Sequence, residues 1–359
     1  MKRLRWLTIF SMLISVVIYC FSDRKAATIP AGKAWALPKA WLVENKNPVT
    51  PIVFRRSADQ TFLTFPEWFL VFSPDEQAQY FKHHTATTFP FTSHTAQIWE
   101  SYSIMKDQID GNFAYNGGYH LMIWVIGSSA SAEYSIKALY ELLIGRLTDT
   151  HEVQTSEDHF NAAFTQDYVD FIKVRPWYEF DFKSELKSLW QSPFFGEYFI
   201  RKTERKYILT SELVVKFIYG KLIGIGSANV YDKAVPTTAV LVDKLPVQST
   251  YETFQKFQDG SGLLAFPRYD AFKDAAEELA GGGINFKEIA GNNSAILLSV
   301  LIPANVDLKV HNTNIIFTQP ITSAPETKRV LLAIQVKNLS RLISDLKKEQ
   351  VSIEHIFDY

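Results

Sequence analysis

Two segments of the chain carry nearly the same pattern of apolar and polar positions. Glu133–Gly145 reads EYSIKALYELLIG and Glu212–Gly224 reads ELVVKFIYGKLIG, which share the frame ExxxKxxYxxLIG. In each, Glu, Lys, Tyr and Ile fall at spacings 0, 4, 7 and 11, one stripe of an α-helix. Leu213, Val214, Val215, Phe217 and Ile218 make the rest of the second copy apolar. A polar stripe on such a helix either meets water or is buried with partners. The spacing predicts two helices packed as a pseudo-symmetric pair, with their Glu/Lys/Tyr stripes at or near the contact. Ser131 with Thr210, Ile136 with Val215 and Leu139 with Ile218 extend the likeness, which then fades, so this is no solenoid period.

The first apolar run, Trp6–Phe21, holds no charge and follows MKRLR. Positive charge ahead of such a run keeps the N-terminus in the cytoplasm and sends the rest across. The pattern predicts a signal anchor over residues 1–21 in the inner (plasma) membrane, single-pass, with the bulk of the chain extracytoplasmic, on the periplasmic side. Cleavage near Ala26–Ala27 is the second reading, disfavoured by the charged SDRK just before it. Residues 22–58, broken by Pro30, Pro38, Pro48 and Pro51, read as an extended tether.

Residues 59–235 read as a mainly helical domain. Ser73-Pro74-Asp75 marks a helix start, Ile98, Tyr102 and Met105 sit at helical spacing, and a long apolar helix over Tyr119–Leu147 follows Asn116-Gly117-Gly118. Residues 236–262 read as a linker. Residues 263–359 alternate strand and helix in the order βαββ…βαβ, which predicts a ferredoxin-like α+β domain. Alternation in VSIEHIFDY puts Val351, Ile353, His355, Phe357 and Tyr359 on one strand face. The expected fold class is α+β: an N-terminal membrane anchor, a helical domain, then the ferredoxin-like domain.

Composition narrows the function classes. A net charge of −1 supplies no field to draw the protein onto nucleic acid, so no nucleic-acid partner is expected. The only cysteine, Cys20, lies in the apolar run behind Val17-Ile18-Tyr19, residues too bulky for a lipidation site. The exported part therefore has neither disulfides nor thiol chemistry. Phe 27, Tyr 16 and Trp 8 fit thick cores or work beside a membrane.

No catalytic motif passes the spacing test. His83, His84, His94 and His120 are not spaced as HExxH or any zinc pattern, so no metal site and no cofactor is expected. The basic run RKTERK at Arg201–Lys206 reads as a solvated helix face. The candidates for a ligand pocket are Glu67, Glu100, His120, Glu133, Lys137, Tyr140, Glu212, Lys216 and Tyr219. The reading that follows is a membrane-anchored extracytoplasmic binding or assembly protein of the cell envelope, held by residues 6–21, with an envelope protein as partner. The alternatives are a metal- or acid/base-dependent enzyme with its site in the helical domain, and a small-ligand or lipid sensor.

Overall fold

The computed structural model describes residues 35–150, 153–191, 195–227, 236–246, 250–310 and 313–359; the expected anchor over 1–21 lies outside them. The first part is helical: α1 (Gln60–Glu67), α2 (Phe69–Phe81), α3 (Phe91–Ile109), α4 (Gly117–Tyr140), α5 (Ser156–Ile172), α6 (Phe182–Gln191) and α7 (Phe199–Ser227). Local chemistry sets several ends. The Asn116 side chain accepts from the Tyr119 N–H and caps α4, while Thr155 and Asp158 form a capping box for α5. α4 runs on through a π turn at Glu141–Gly145 and a last turn at Arg146–Thr148. One expected start is corrected: Ser73-Pro74-Asp75 lies inside α2, because buried Phe69, Val71 and Phe72 carry the helix upstream of the proline.

The second part is a two-sheet antiparallel domain, and it is written twice. β1 (Thr237–Val242), β2 (Thr253–Lys256), β3 (Gly262–Pro267), α8 (Asp270–Gly281) and β4 (Phe286–Ile289) form one module. β5 (Ala295–Pro303), β6 (Asn314–Pro320), β7 (Thr327–Gln335), α9 (Leu339–Lys348) and β8 (Ser352–Phe357) form the next. The sheets run β2-β3-β1-β4 and β6-β7-β5-β8, the same order in both. Even the irregularities recur: β1/β4 and β5/β8 each skip one residue, Lys287 and Glu354, and β2/β3 and β6/β7 skip Phe254 and Ile316.

Two expectations change here. Residues 236–262, read as a linker, carry β1 and β2. The strands from 263 onward do not close into one ferredoxin-like sheet, because β1 takes β3 and β4 as its own neighbours. The bulge at Glu354 also splits the face expected in VSIEHIFDY. Ile353, Ile356 and Tyr359 enter the core shared by α8, α9 and one face of each sheet, whereas Phe357 joins the core against the helical part. His355 turns to the helical side too, stacked on Trp68 of the α1–α2 corner.

That second core joins the two parts of the molecule. Phe65 of α1 meets Phe317 of β6 and Phe357 of β8 edge-on at 5.5 and 5.4 Å. The tether docks on the first sheet: Glu288 of β4 accepts from the backbone N–H groups of Thr50 (2.8 Å) and Val49 (3.1 Å) and from Asn45 Nδ2 (2.8 Å).

Candidate functional site

The repeated helices meet through their charges. Lys137 Nζ stands 3.0 Å from Glu133 Oε1 and 2.9 Å from Glu212 Oε1; Lys216 Nζ stands 3.1 Å from Glu133 Oε1 and 2.9 Å from Glu212 Oε1. Each lysine reaches both glutamates, so the quartet is its own image when the two copies are exchanged. Burial by itself would raise both carboxyls, but Lys216 and Lys137 win and hold Glu133 and Glu212 below the usual range. Phe91 lies 6.0 Å from Lys137 Nζ, and Tyr168 lies 5.0 Å from Lys216 Nζ. The two tyrosines of the frame part company. Tyr140 reaches the Glu204 carbonyl, and half-exposed Tyr219 packs on Trp177 at 5.2 Å.

A second cluster lies where the copies differ, at Glu141 against Gly220. Arg205 grips Glu141 with two bonds of 2.7 and 3.0 Å and binds Glu204 as well. Arg201 bonds Asp158 (3.0 Å) and Glu204 (3.2 Å). The basic run is thus not a solvated face: Arg201, Arg205 and Lys206 are buried, because carboxylates from the turns after α4, from α5 and from α7 itself converge on them. Gly145 makes this packing feasible, since a Cβ there would overlap Glu141 Oε2. At Gly224 the nearest atom among the described residues would be Tyr178 at 3.7 Å, so the packing against Glu141 asks for a glycine in the first copy.

A third arrangement was invisible in the sequence. Gln77 Nε2 donates to the Tyr134 hydroxyl (2.8 Å), which donates to Ser73 Oγ (2.7 Å). The Ser73 hydrogen is then free for His94 Nδ1 at 2.7 Å, which assigns the ring proton to Nε2, facing Glu76 Oε2 at 3.5 Å. Burial, with Arg329 adding to it, holds His94 neutral down to about 3. Burial lifts Glu76 to about 7 against the pull of Arg329. Arg329 of β7 bonds Glu76 at 3.0 Å and Glu354 twice at 2.7 Å, tying the relay to the second sheet. Ser73 and His94 are buried.

The remaining candidates stay apart. Glu67 accepts from Tyr119 at 2.5 Å, and burial pushes its carboxyl up. His120 pairs with Tyr102 (2.9 Å), stacks on Tyr115 and lines a hollow of about 40 Å³ with Lys106, Asp110 and Phe113. That volume holds a water or two and no substrate. The Glu100 side chain makes no hydrogen bond or ion pair with the described residues, and no group of three or more metal-ligating side chains forms among them. The nine sequence candidates therefore supply one joint site, Glu133–Lys137–Glu212–Lys216, and several separate pairs.

Comparison of the chain with protein-family models, with curated proteins and with solved structures gave no match.

Proposed function

We propose that this chain is a membrane-anchored, extracytoplasmic binding or assembly protein of the cell envelope. Residues 6–21 hold it in the inner membrane, the helical part lies on the membrane side, and the two-module β-domain is presented to a protein partner. The observation that supports this is the concentration of exposed apolar side chains on α4 and α7, apart from Val43, Val49, Ile52 and Val53 on the tether docked on the first sheet. α4 and its π turn expose Leu121, Trp124, Val125, Ile136 and Leu143, and α7 exposes Ile200, Tyr207, Val215, Ile218 and Leu222. In the described residues from 236 to 359 only Leu301 and Val306 are large, apolar and comparably exposed. Apolar patches gathered on one part of a molecule mark where it meets a partner or a membrane. The test is the full chain with a C-terminal tag in a bacterial host. The tag should stay with the inner membrane and be digested by protease added outside spheroplasts; a soluble or protected tag would contradict the reading.

A second reading is an acid/base enzyme with its site in the helical domain. It is favoured by the Ser73–His94–Glu76 geometry, a hydroxyl bonded to an imidazole that faces a carboxylate. Covalent labelling of Ser73 by a serine-directed phosphonate, abolished in His94→Ala, would support it.

A further inference from the structure

We propose that the exposed faces of α4 and α7 lie in the headgroup–acyl boundary of a lipid bilayer, so that the helical part makes a second, peripheral contact with the membrane. This rests on the anchored reading above and names what covers the apolar faces.

The distribution of charge carries the argument. From Leu121 to Ile144 the charged residues are Glu133, Lys137 and Glu141; from Tyr207 to Gly220 they are Glu212 and Lys216. All five are paired: four in the quartet, where the Glu133 side chain stays 36% exposed, and Glu141 on buried Arg205. Exposed apolar side chains on α4 and its π turn include Leu121, Trp124, Val125, Ile136 and Leu143, beside exposed Ser128 and Ser129, and on α7 Tyr207, Val214, Val215, Ile218 and Leu222, beside exposed Lys221. Pairing of every charge along the middle of these helices suits lipid, because an unpaired ion there is costly.

The shape of these helices selects lying over crossing. No helix among the described residues is long and apolar enough to cross a membrane. α4 is about 36 Å long at 1.5 Å per residue, with its apolar side running along its length, which suits a helix in the interfacial plane. Trp124, Tyr207 and Tyr219 are exposed on the faces, and Arg146 and Lys221 are exposed near their ends. Aromatic rings and cations in those places match the headgroup layer.

The position of the tether puts a bilayer within reach. The described chain begins at Trp35, whose carbonyl accepts from Gln108 Nε2 of α3 at 3.2 Å. Two turns back along α3, Tyr102 meets His120 and Trp99 meets Trp124, at the start of α4. Residues 22–34 span at most about 45 Å fully extended. The Trp35 N–H also donates to the Ile316 carbonyl of β6 at 2.8 Å, so the tether leaves the described residues between α3 and the second sheet, near the end of α4 where the apolar face begins.

The experiment uses the full chain with Cys20→Ser, reconstituted in phosphatidylethanolamine/phosphatidylglycerol vesicles. Single cysteines replace Val125, Ile136, Val215 and Ile218, with Val306 as the control, each carrying a nitroxide. The expected result is at least a threefold greater relaxation by oxygen than by a water-soluble nickel chelate at the four helix sites, and the reverse at Val306. Access of the nickel chelate to the helix sites in floating vesicles would overturn the lipid contact while leaving the anchor standing. Exclusion of both reagents would also overturn it, showing a protein cover such as a second copy. Failure of the protein to float would overturn both the contact and the anchored reading.

Discussion

Lys137 Nζ on α4 stands 2.9 Å from Glu212 Oε1 on α7, and the same geometry returns with the copies exchanged, Lys216 to Glu133 at 3.1 Å. The sequence repeat is therefore a structural device: two similar helices clasp each other through the charges they share. Lysines that are 17–18% exposed sit between the two limiting cases of ion-pair energetics. Exposed pairs contribute about 0.2–1 kcal/mol and breaking buried ones costs about 3–5.

Lys137→Met should thus destabilise the fold by about 1–3 kcal/mol. Combining it with Glu212→Gln should cost less than the sum of the two single changes, since the stranded carboxylate is removed as well. Chemical denaturation of the four proteins in the cycle measures the coupling. Strict additivity would show that the quartet is only a crystal-like juxtaposition of solvated charges.

Gly145→Ala should be destabilising by about 2–4 kcal/mol, because the new methyl displaces the Glu141 carboxylate from buried Arg205. Gly224→Ala should be neutral or stabilising by about 0.5–1 kcal/mol, an ordinary helix glycine replaced. Thermal unfolding of both variants decides it, and equal effects would refute the asymmetry.

Glu76 and His94 should oppose each other in the pH dependence of stability. Between 4.5 and 7 the folded state keeps a proton on Glu76 that the unfolded state has lost, so this contribution falls as pH rises. Between 3 and 6.5 the unfolded state binds a proton at His94 that the folded state refuses, so that contribution falls as pH drops. Glu76→Gln should expose the histidine slope and lose up to about 1.4 kcal/mol per pH unit on acidification below 6.5. His94→Asn should show the opposite slope as pH rises from 4.5 to 7. Denaturation series across this range read both, and three identical slopes would contradict the coupling.

His355 should be replaceable at a gain. Among the described residues both ring nitrogens and the neighbouring Ser299 Oγ find no hydrogen-bond partner in a buried place against Trp68. His355→Phe should stabilise by about 1–2 kcal/mol, because an unsatisfied polar ring gives way to an apolar one. A loss of that size in thermal unfolding would show that the imidazole has a partner that matters.

The parts of this molecule that could be read from its sequence are those governed by local period. The helix repeat, the long apolar helix after Asn116-Gly117-Gly118 and the strand–helix alternation after Gly262 all follow from spacing along one element. β1 and β2 escaped because Pro236, Pro246 and Gly260 frame two short strands in a stretch that reads as punctuation, and their pairing partners lie downstream. The duplication of the β-modules escaped for the same reason, since half of the first copy was hidden. RKTERK was misjudged because its burial depends on Glu141, Glu204 and Asp158, two of them far away in the chain. Ser73, His94 and Glu76 look ordinary one by one; only the packing of α2 against α3 and α4 lines them up.

Contact of the α4/α7 face with the membrane is the central proposal. Its most direct test is the reaction of a single cysteine at Ile136, in the full chain with Cys20→Ser, toward a membrane-impermeant maleimide. In native membranes with the extracytoplasmic side open, the account predicts protection that disappears when detergent is added. Equal, rapid labelling with and without detergent would show that the face is open to water and would contradict it.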